Sequence, residues 1–241
     1  MRVFKLIATV LILGLLLAAC SSDKKDNGTN QQEQPPEGIT IDPVQLPAGM
    51  TQSSDQYAQT VVSYINLINM FQYWTGSLVP PGQVGKVGLV ESTTDGPPWE
   101  YTWSQQGITV KLVIDIQDNQ YHWVLTYSGT FEGYQYNNSK VLEAWQDMDG
   151  TSGKLVVYDP EENAQIAEWS WQEDENGTLT VRYKEYTGGV EIIVVQNPDL
   201  SGSLEVYENS VLTFKANWNA DGSGTWWTYE NGTQTGTGSW T

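Results

Sequence analysis

From Trp99 onward, short runs of alternating apolar and polar residues follow one another with only tight turn signals between them, which confines this part of the chain to an antiparallel sheet. In 108–117, Ile108, Val110, Leu112, Ile114 and Ile116 alternate with Thr109, Lys111, Val113, Asp115 and Gln117, the period of a half-buried strand. The next run places Tyr121, Trp123, Leu125 and Tyr127 on one face and His122, Thr126 and Ser128 on the other. Asp118-Asn119 between the two is a turn signal, so they read as a hairpin. Further strands are expected at 99–104, 131–136, 141–146, 154–158, 165–172, 178–185, 190–196, 203–207, 211–218 and 224–229. Clusters such as Asp149-Gly150, Glu175-Asn176-Gly177, Asn197-Pro198-Asp199 and Asp221-Gly222 separate them. Parallel pairing would need longer crossovers.

One helix precedes the strands. Ser53 with Gln56 gives a capping signal, and Tyr57, Val61, Ile65, Ile68 and Phe71 then recur at helical spacing until Gly76, which predicts a helix over about 53–75. Its apolar stripe, widened by Val62, Leu67, Met70 and Trp74, needs a large apolar surface to cover. The fold class is therefore mainly β: one antiparallel meander of about 10–12 strands, forming a curved sheet, half-barrel or barrel with the helix packed on it. That plan is similar to the periplasmic lipoprotein carriers and their lipoprotein acceptors, where a helix is followed by a half-barrel; a lipocalin-like barrel is the competing arrangement. Residues 190–195 are apolar on both faces, which suggests a central strand covered on each side.

The first twenty residues, MRVFKLIATVLILGLLLAAC, place basic Arg2 and Lys5 before an apolar stretch too short to span a bilayer, then small residues before a cysteine. Leu17-Ala18-Ala19-Cys20 resembles the lipobox of bacterial lipoproteins. The resemblance implies a signal peptide over 1–19, cleavage before Cys20, and lipid attached to its sulfur as the membrane anchor. Ser21 stands where some bacteria read Asp as an inner-membrane retention signal, so the resemblance points to the outer membrane. Residues 20–47 are polar and proline-rich and read as a disordered tether, with a reach of roughly 30 Å. What remains, 48–241, is expected to be a single domain. Cys20 is the only cysteine, so no internal disulfide can form and stability must come from the core.

Eleven Lys and Arg stand against 29 Asp and Glu, for a net charge of −18, and this acidity repels phosphate backbones. Nucleic acid is therefore not an expected partner. His122 is the sole histidine, which excludes multi-histidine metal sites; on the polar face of its strand it reads as a surface residue. No G-x-S-x-G elbow surrounds any serine, and no cofactor is expected. Asn217, Asn219, Asp221 and Gly222 follow an N-x-N-x-D-G spacing that fits a calcium loop, but Thr228 occupies the twelfth position where such loops place Glu. Glu161, Glu162, Glu173, Asp174 and Glu175 lie beside turns, where solvated charge is expected.

Eleven Trp and thirteen Tyr are the most distinctive part of the composition. Trp99, Tyr101 and Trp103 share one strand face and, with Trp226 and Trp227, are the candidate exposed platform for stacking on sugars, although such ladders also fill cores. Adjacent Trp226 and Trp227 must point to opposite faces. Near the C-terminus, Tyr229, Gly232, Gly236 and Gly238 resemble the core of a MORN repeat, with Trp227 where that family has glycine. No tandem copies precede it, so the stretch reads as a β-hairpin with glycine-rich turns.

Three functions follow in order of expectation. The first is a non-enzymatic envelope lipoprotein whose β-rich domain binds a partner or hydrophobic small molecule. The second is a carbohydrate-binding surface lipoprotein using exposed aromatics. The third is a carboxylate-dependent glycoside hydrolase, which needs two carboxylates across a cleft.

Overall fold

The alternating runs become ladders in the computed structural model, which describes residues 34–79, 90–91, 96–131 and 133–241. The signal segment, Cys20 and the tether up to residue 33 lie outside the described residues. The strands are β1 (Val90–Glu91), β2 (Trp99–Gln105), β3 (Ile108–Gln117), β4 (Gln120–Phe131), β5 (Tyr134–Asp147), β6 (Ser152–Asp159), β7 (Ala164–Glu173), β8 (Leu179–Glu185), β9 (Val190–Gln196), β10 (Gly202–Glu208), β11 (Val211–Trp218), β12 (Gly224–Glu230) and β13 (Thr233–Trp240). Their order in the sheet follows the chain, with β1 and β13 at its two ends, so the sheet is open and the closed-barrel alternative falls. The ladders from β1 to β5 and from β7 to β13 are antiparallel.

The chain gathers into two compact units that interleave in sequence. The first takes residues up to Thr40, Tyr73–Met148 and Val157–Ala164; the second takes Ile41–Gln72, Asp149–Val156 and Gln165–Thr241. A meander packs each strand mainly against its chain neighbours, so its contacts divide along its length.

In the first unit, the β3–β4 hairpin turns through Asp118 and Asn119, with φ of 51° and 65°, and pairs Gln117 with Gln120. These are the two left-handed residues that a tight primed turn demands. Expected separate strands at 131–136 and 141–146 are instead parts of two long strands meeting at a hairpin, with Phe131 ending β4 and Tyr134 beginning β5. Register shifts after Leu125 and after Tyr127 let both strands run on past irregularities that break the alternation. Trp123, Leu125, Leu142 and Ala144 are buried together on one face of β4 and β5. Gln146 is satisfied by a two-pronged bond to the backbone of Thr40, accepting from its N–H at 3.2 Å and donating to its carbonyl.

In the second unit, the expected helix is present as α2 (Gln56–Ile68), after a single turn α1 (Ala48–Thr51); a short helix α3 (Phe71–Thr75) comes next in the chain, with Tyr73–Thr75 belonging to the first unit. Asp55, rather than Ser53, caps α2 by accepting from the N–H groups of Tyr57 and Ala58 at 2.7 and 3.1 Å. Asn69 closes the helix and holds Val44 through both its backbone groups. α2 packs on β8 and β9, burying Ala58, Val61, Ile65 and Ile68 against a sheet face that carries Val181, Ile192 and Val194. Trp169 donates its indole N–H to the carbonyl of Ile68 at 2.9 Å. The expectation that β9 is covered on both faces holds for one face only. Ile193 and Val195 on the other are half-buried, sheltered by neighbours such as Arg182 and Glu205.

The structure also brings out a recurrence that is hidden in the residues. The turns Asp174 to Thr178, Asn197 to Ser201 and Asn219 to Ser223 share two backbone bonds at corresponding positions, first residue N–H to fifth residue carbonyl and fourth N–H to first carbonyl. Their fourth residues, Gly177, Leu200 and Gly222, all have left-handed φ, at 78°, 70° and 93°. In the last two copies the likeness extends further. Trp218 donates its indole N–H to the Leu200 carbonyl and lies over Gly202; Trp240 donates to the Gly222 carbonyl and lies over Gly224. A methyl group at either glycine would collide with the ring.

Candidate functional site

The strongest polar cluster surrounds Glu143, in the first unit. Among the described residues, Glu143 is the buried carboxylate, at 8% exposure. On β4 and β5, His122 faces Trp145 and Val124 faces Glu143, so all four side chains share the face opposite Trp123. Lys140 ought to point the other way, because residues three apart on a regular strand lie on opposite faces. It does not, because Leu125 pairs with Leu142 and Thr126 with Lys140, leaving Val141 as the extra residue of a bulge that turns Lys140 onto the face of Glu143. Tyr158, on β6, closes the group.

All the donors converge on one carboxylate. His122 Nε2 lies 3.0 Å from Glu143 Oε1, while Lys140 Nζ at 2.6 Å and the Tyr158 hydroxyl at 2.7 Å donate to Oε2. Lys140 also sits 5.1 Å from the centre of the Tyr158 ring, and His122 stacks on Trp145 with centroids 5.0 Å apart. Burial alone would push the Glu143 pKa up. The hydrogen bonds from Lys140, Tyr158 and His122, with the charge of Lys140, outweigh it and hold the carboxyl below the ordinary glutamate range. Because an ionised carboxylate only accepts, the proton in the His122 bond is on Nε2.

Glu143 is therefore an anion at neutral pH with both oxygens engaged. A general acid needs the opposite shift, and a glycosidase needs a second carboxylate across a cleft. The hydroxyl that joins the pair belongs to Tyr158 and donates to Glu143, so this is also not the hydroxyl-to-histidine geometry of an activated nucleophile. His122 lies on the face that the alternation of β4 predicts, but it is not a surface residue: its side chain is only 13% exposed. Glu143 is not legible in the sequence because Val141, Leu142, Glu143 and Ala144 are buried consecutively, so no period marks the site.

The residues singled out from sequence fare differently. Trp99, Tyr101 and Trp103 do share a face, but at 5%, 8% and 5% exposure they form core, paired with Ile114, Leu112 and Val110, and not an exposed platform. Trp226 and Trp227 point to opposite faces as expected, and both are half-buried. Trp226 stacks under Tyr57 of α2, while Trp227 stands between Lys215 and Thr237 on the solvent side. The calcium spacing resolves into turn chemistry: Asp221 Oδ1 accepts from the Ser223 N–H and hydroxyl at 2.9 and 2.7 Å, and Asn219 donates its amide to the same hydroxyl. Asn217 lies on the strand before the turn, opposite Ser203 and Thr225. Among the described residues no group of His, Cys, Asp and Glu converges as metal ligands, and no helix is long and apolar enough to cross a membrane. Comparison of the chain with protein-family models and with curated proteins finds no match.

Proposed function

We propose that this chain is a non-enzymatic lipoprotein of a bacterial envelope, held at a membrane by lipid on Cys20 and acting through a β-sheet binding domain. The observation that carries the non-enzymatic part is the state of Glu143: its charge is neutralised and its lone pairs are filled by His122, Lys140 and Tyr158, which leaves it a strut between β4, β5 and β6. The anchor rests on Leu17-Ala18-Ala19-Cys20 and the basic and apolar segment before it. A hydrophobic ligand finds α2 already filling the apolar face of β8 and β9, so binding in the second unit is assigned to the solvent face of the sheet.

The anchor is tested by following labelled fatty acid in cells producing the chain. Wild type takes up label and fractionates with membranes, and Cys20→Ala loses both. Cys20→Ala protein that stays membrane-bound after a salt wash overturns the anchor.

A glycan is the second reading of the binding surface, favoured by Trp227 beside Lys215 and Thr237 on that solvent face. Oligosaccharides should then quench Trp fluorescence in the wild type and not in Trp227→Ala. Equal quenching in both removes Trp227 from the site.

A further inference from the structure

We propose that β13 is the seam of a homodimer, in which β13 of one copy pairs antiparallel with β13 of a second across a two-fold axis at Thr237. Which backbone groups of β13 are free follows from the ladder beside it. The Asn219 N–H bonds the Ser223 carbonyl, and along an antiparallel ladder bonded and non-bonded pairs alternate. Asn217–Thr225 and Lys215–Trp227 are thus bonded pairs of β11 and β12, so Gly224, Trp226 and Thr228 turn their backbone groups to β13. They meet Trp240, Gly238 and Gly236 there. The N–H and carbonyl groups of Thr237 and Ser239 consequently point away from β12, along the end of the strand order.

That edge lacks the usual safeguards. β13 contains no Asp, Glu, Lys, Arg or Pro, in a chain with 29 acidic residues. Exposed edges are commonly protected by charge or proline. Thr235, Thr237 and Ser239 are exposed.

The sequence of the edge selects a second copy as its occupant. Thr235-Gly236-Thr237-Gly238-Ser239 reads nearly the same in both directions. Antiparallel pairing about Thr237 sets Thr237 opposite its counterpart, Gly236 opposite Gly238 and Thr235 opposite Ser239, with hydroxyls or hydrogens at every position and no like charges facing. Such self-complementarity is what a two-fold interface requires. The added strand also runs in the direction that one more hairpin of the recurring kind would give. The inference is independent of lipid on Cys20.

The test uses the soluble Cys20→Ala chain in sedimentation equilibrium across the micromolar range, where a monomer–dimer equilibrium is expected. Thr237→Pro removes an outward N–H and, towards β12, only the hydroxyl bond to the Trp226 carbonyl, which Thr237→Val removes as well, so it should raise the dimer Kd about tenfold or more while the circular dichroism is unchanged. Thr237→Val, which keeps the N–H, should dimerise as the parent does. Thr237→Cys in the same background should form a disulfide-linked dimer under mild oxidation, since bonded cross-strand partners lie within disulfide range. A chain that is monomeric throughout, or a dimer that Thr237→Pro leaves intact, overturns the proposal. Should Thr237→Pro disturb folding, the cysteine variant decides, and absence of cross-linking overturns it.

Discussion

Tyr57 of helix α2 lies with its ring centre 3.5 Å from that of Trp226 on β12, the two planes 14° from parallel. On its other side Trp226 rests on the backbone of β13, where a Cβ at Gly238 would come within 2.8 Å of Cζ2 and 2.9 Å of Cε2. Helix, indole and glycine make one three-layer stack. The glycine pattern near the C-terminus is therefore a packing requirement, and Gly236 and Gly238 are the floor on which the ring lies.

Gly238→Ala should accordingly destabilise the second unit by about 1–3 kcal/mol, the usual cost of forcing extra volume into a packed contact. Urea unfolding monitored by Trp fluorescence measures it, with exposed Ser239→Ala as the reference. Equal midpoints for the two variants would remove the stack from the account.

Leu200 holds the left-handed position that glycine occupies in the two sister turns. A branched side chain there costs about 1–2 kcal/mol of backbone strain. Leu200→Gly should therefore be neutral or raise the unfolding midpoint, against the usual penalty for introducing glycine. A clear loss of stability would mean that the half-buried leucine side chain contributes more than its backbone costs.

Glu143 makes a pH-dependent prediction. Its folded pKa is depressed below the ordinary 4.5, so its contribution is fully present above that value and is lost as pH falls through the lower folded value. Glu143→Gln should cost about 1–3 kcal/mol at pH 7, because Lys140 loses its partner and the buried donors lose an anion. That gap should narrow as the pH is taken below 4.5. The depressed carboxylates of Asp149, Asp174, Asp199 and Asp221 are common to both proteins and cancel in the difference. A gap that stays constant with pH would show that the charge of Glu143 is not what the cluster holds.

Calcium should leave the melting temperature unchanged, and chelation likewise, because the Asp221 oxygen that such a loop would use already caps Ser223. A rise in melting temperature with calcium that Asp221→Asn abolishes would restore the cation reading.

Strands and turns were readable because their signals are local. The bounds of β3, β9 and β11 match the apolar runs read at those places, and the Asp118-Asn119 turn needs only its own two residues. The Glu143 cluster was not readable, because it depends on a bulge. One extra residue at Val141 reverses the phase of Lys140 and Ser139 just before it in β5, and the pairing that reveals the bulge cannot be read from one strand's pattern. The burial of Trp99, Tyr101 and Trp103 was undecided for a related reason: periodicity tells which residues share a face, and only the partner strands tell whether that face is wet. The recurring turns were hidden because three different combinations of first and fourth residue make the same two backbone bonds.

The bonds that tie Trp218 to Leu200 and Trp240 to Gly222 each join residues 18 positions apart, so each hairpin can be finished within its own stretch of chain. Tyr57 has no such convenience. Its partner lies nearly the whole domain away in sequence, and contacts of that separation form slowly. Assembly of the second unit therefore has a natural order: the hairpins can close in any sequence, and the Tyr57 ring of α2 finds its seat only once the Trp226 indole of β12 is in place.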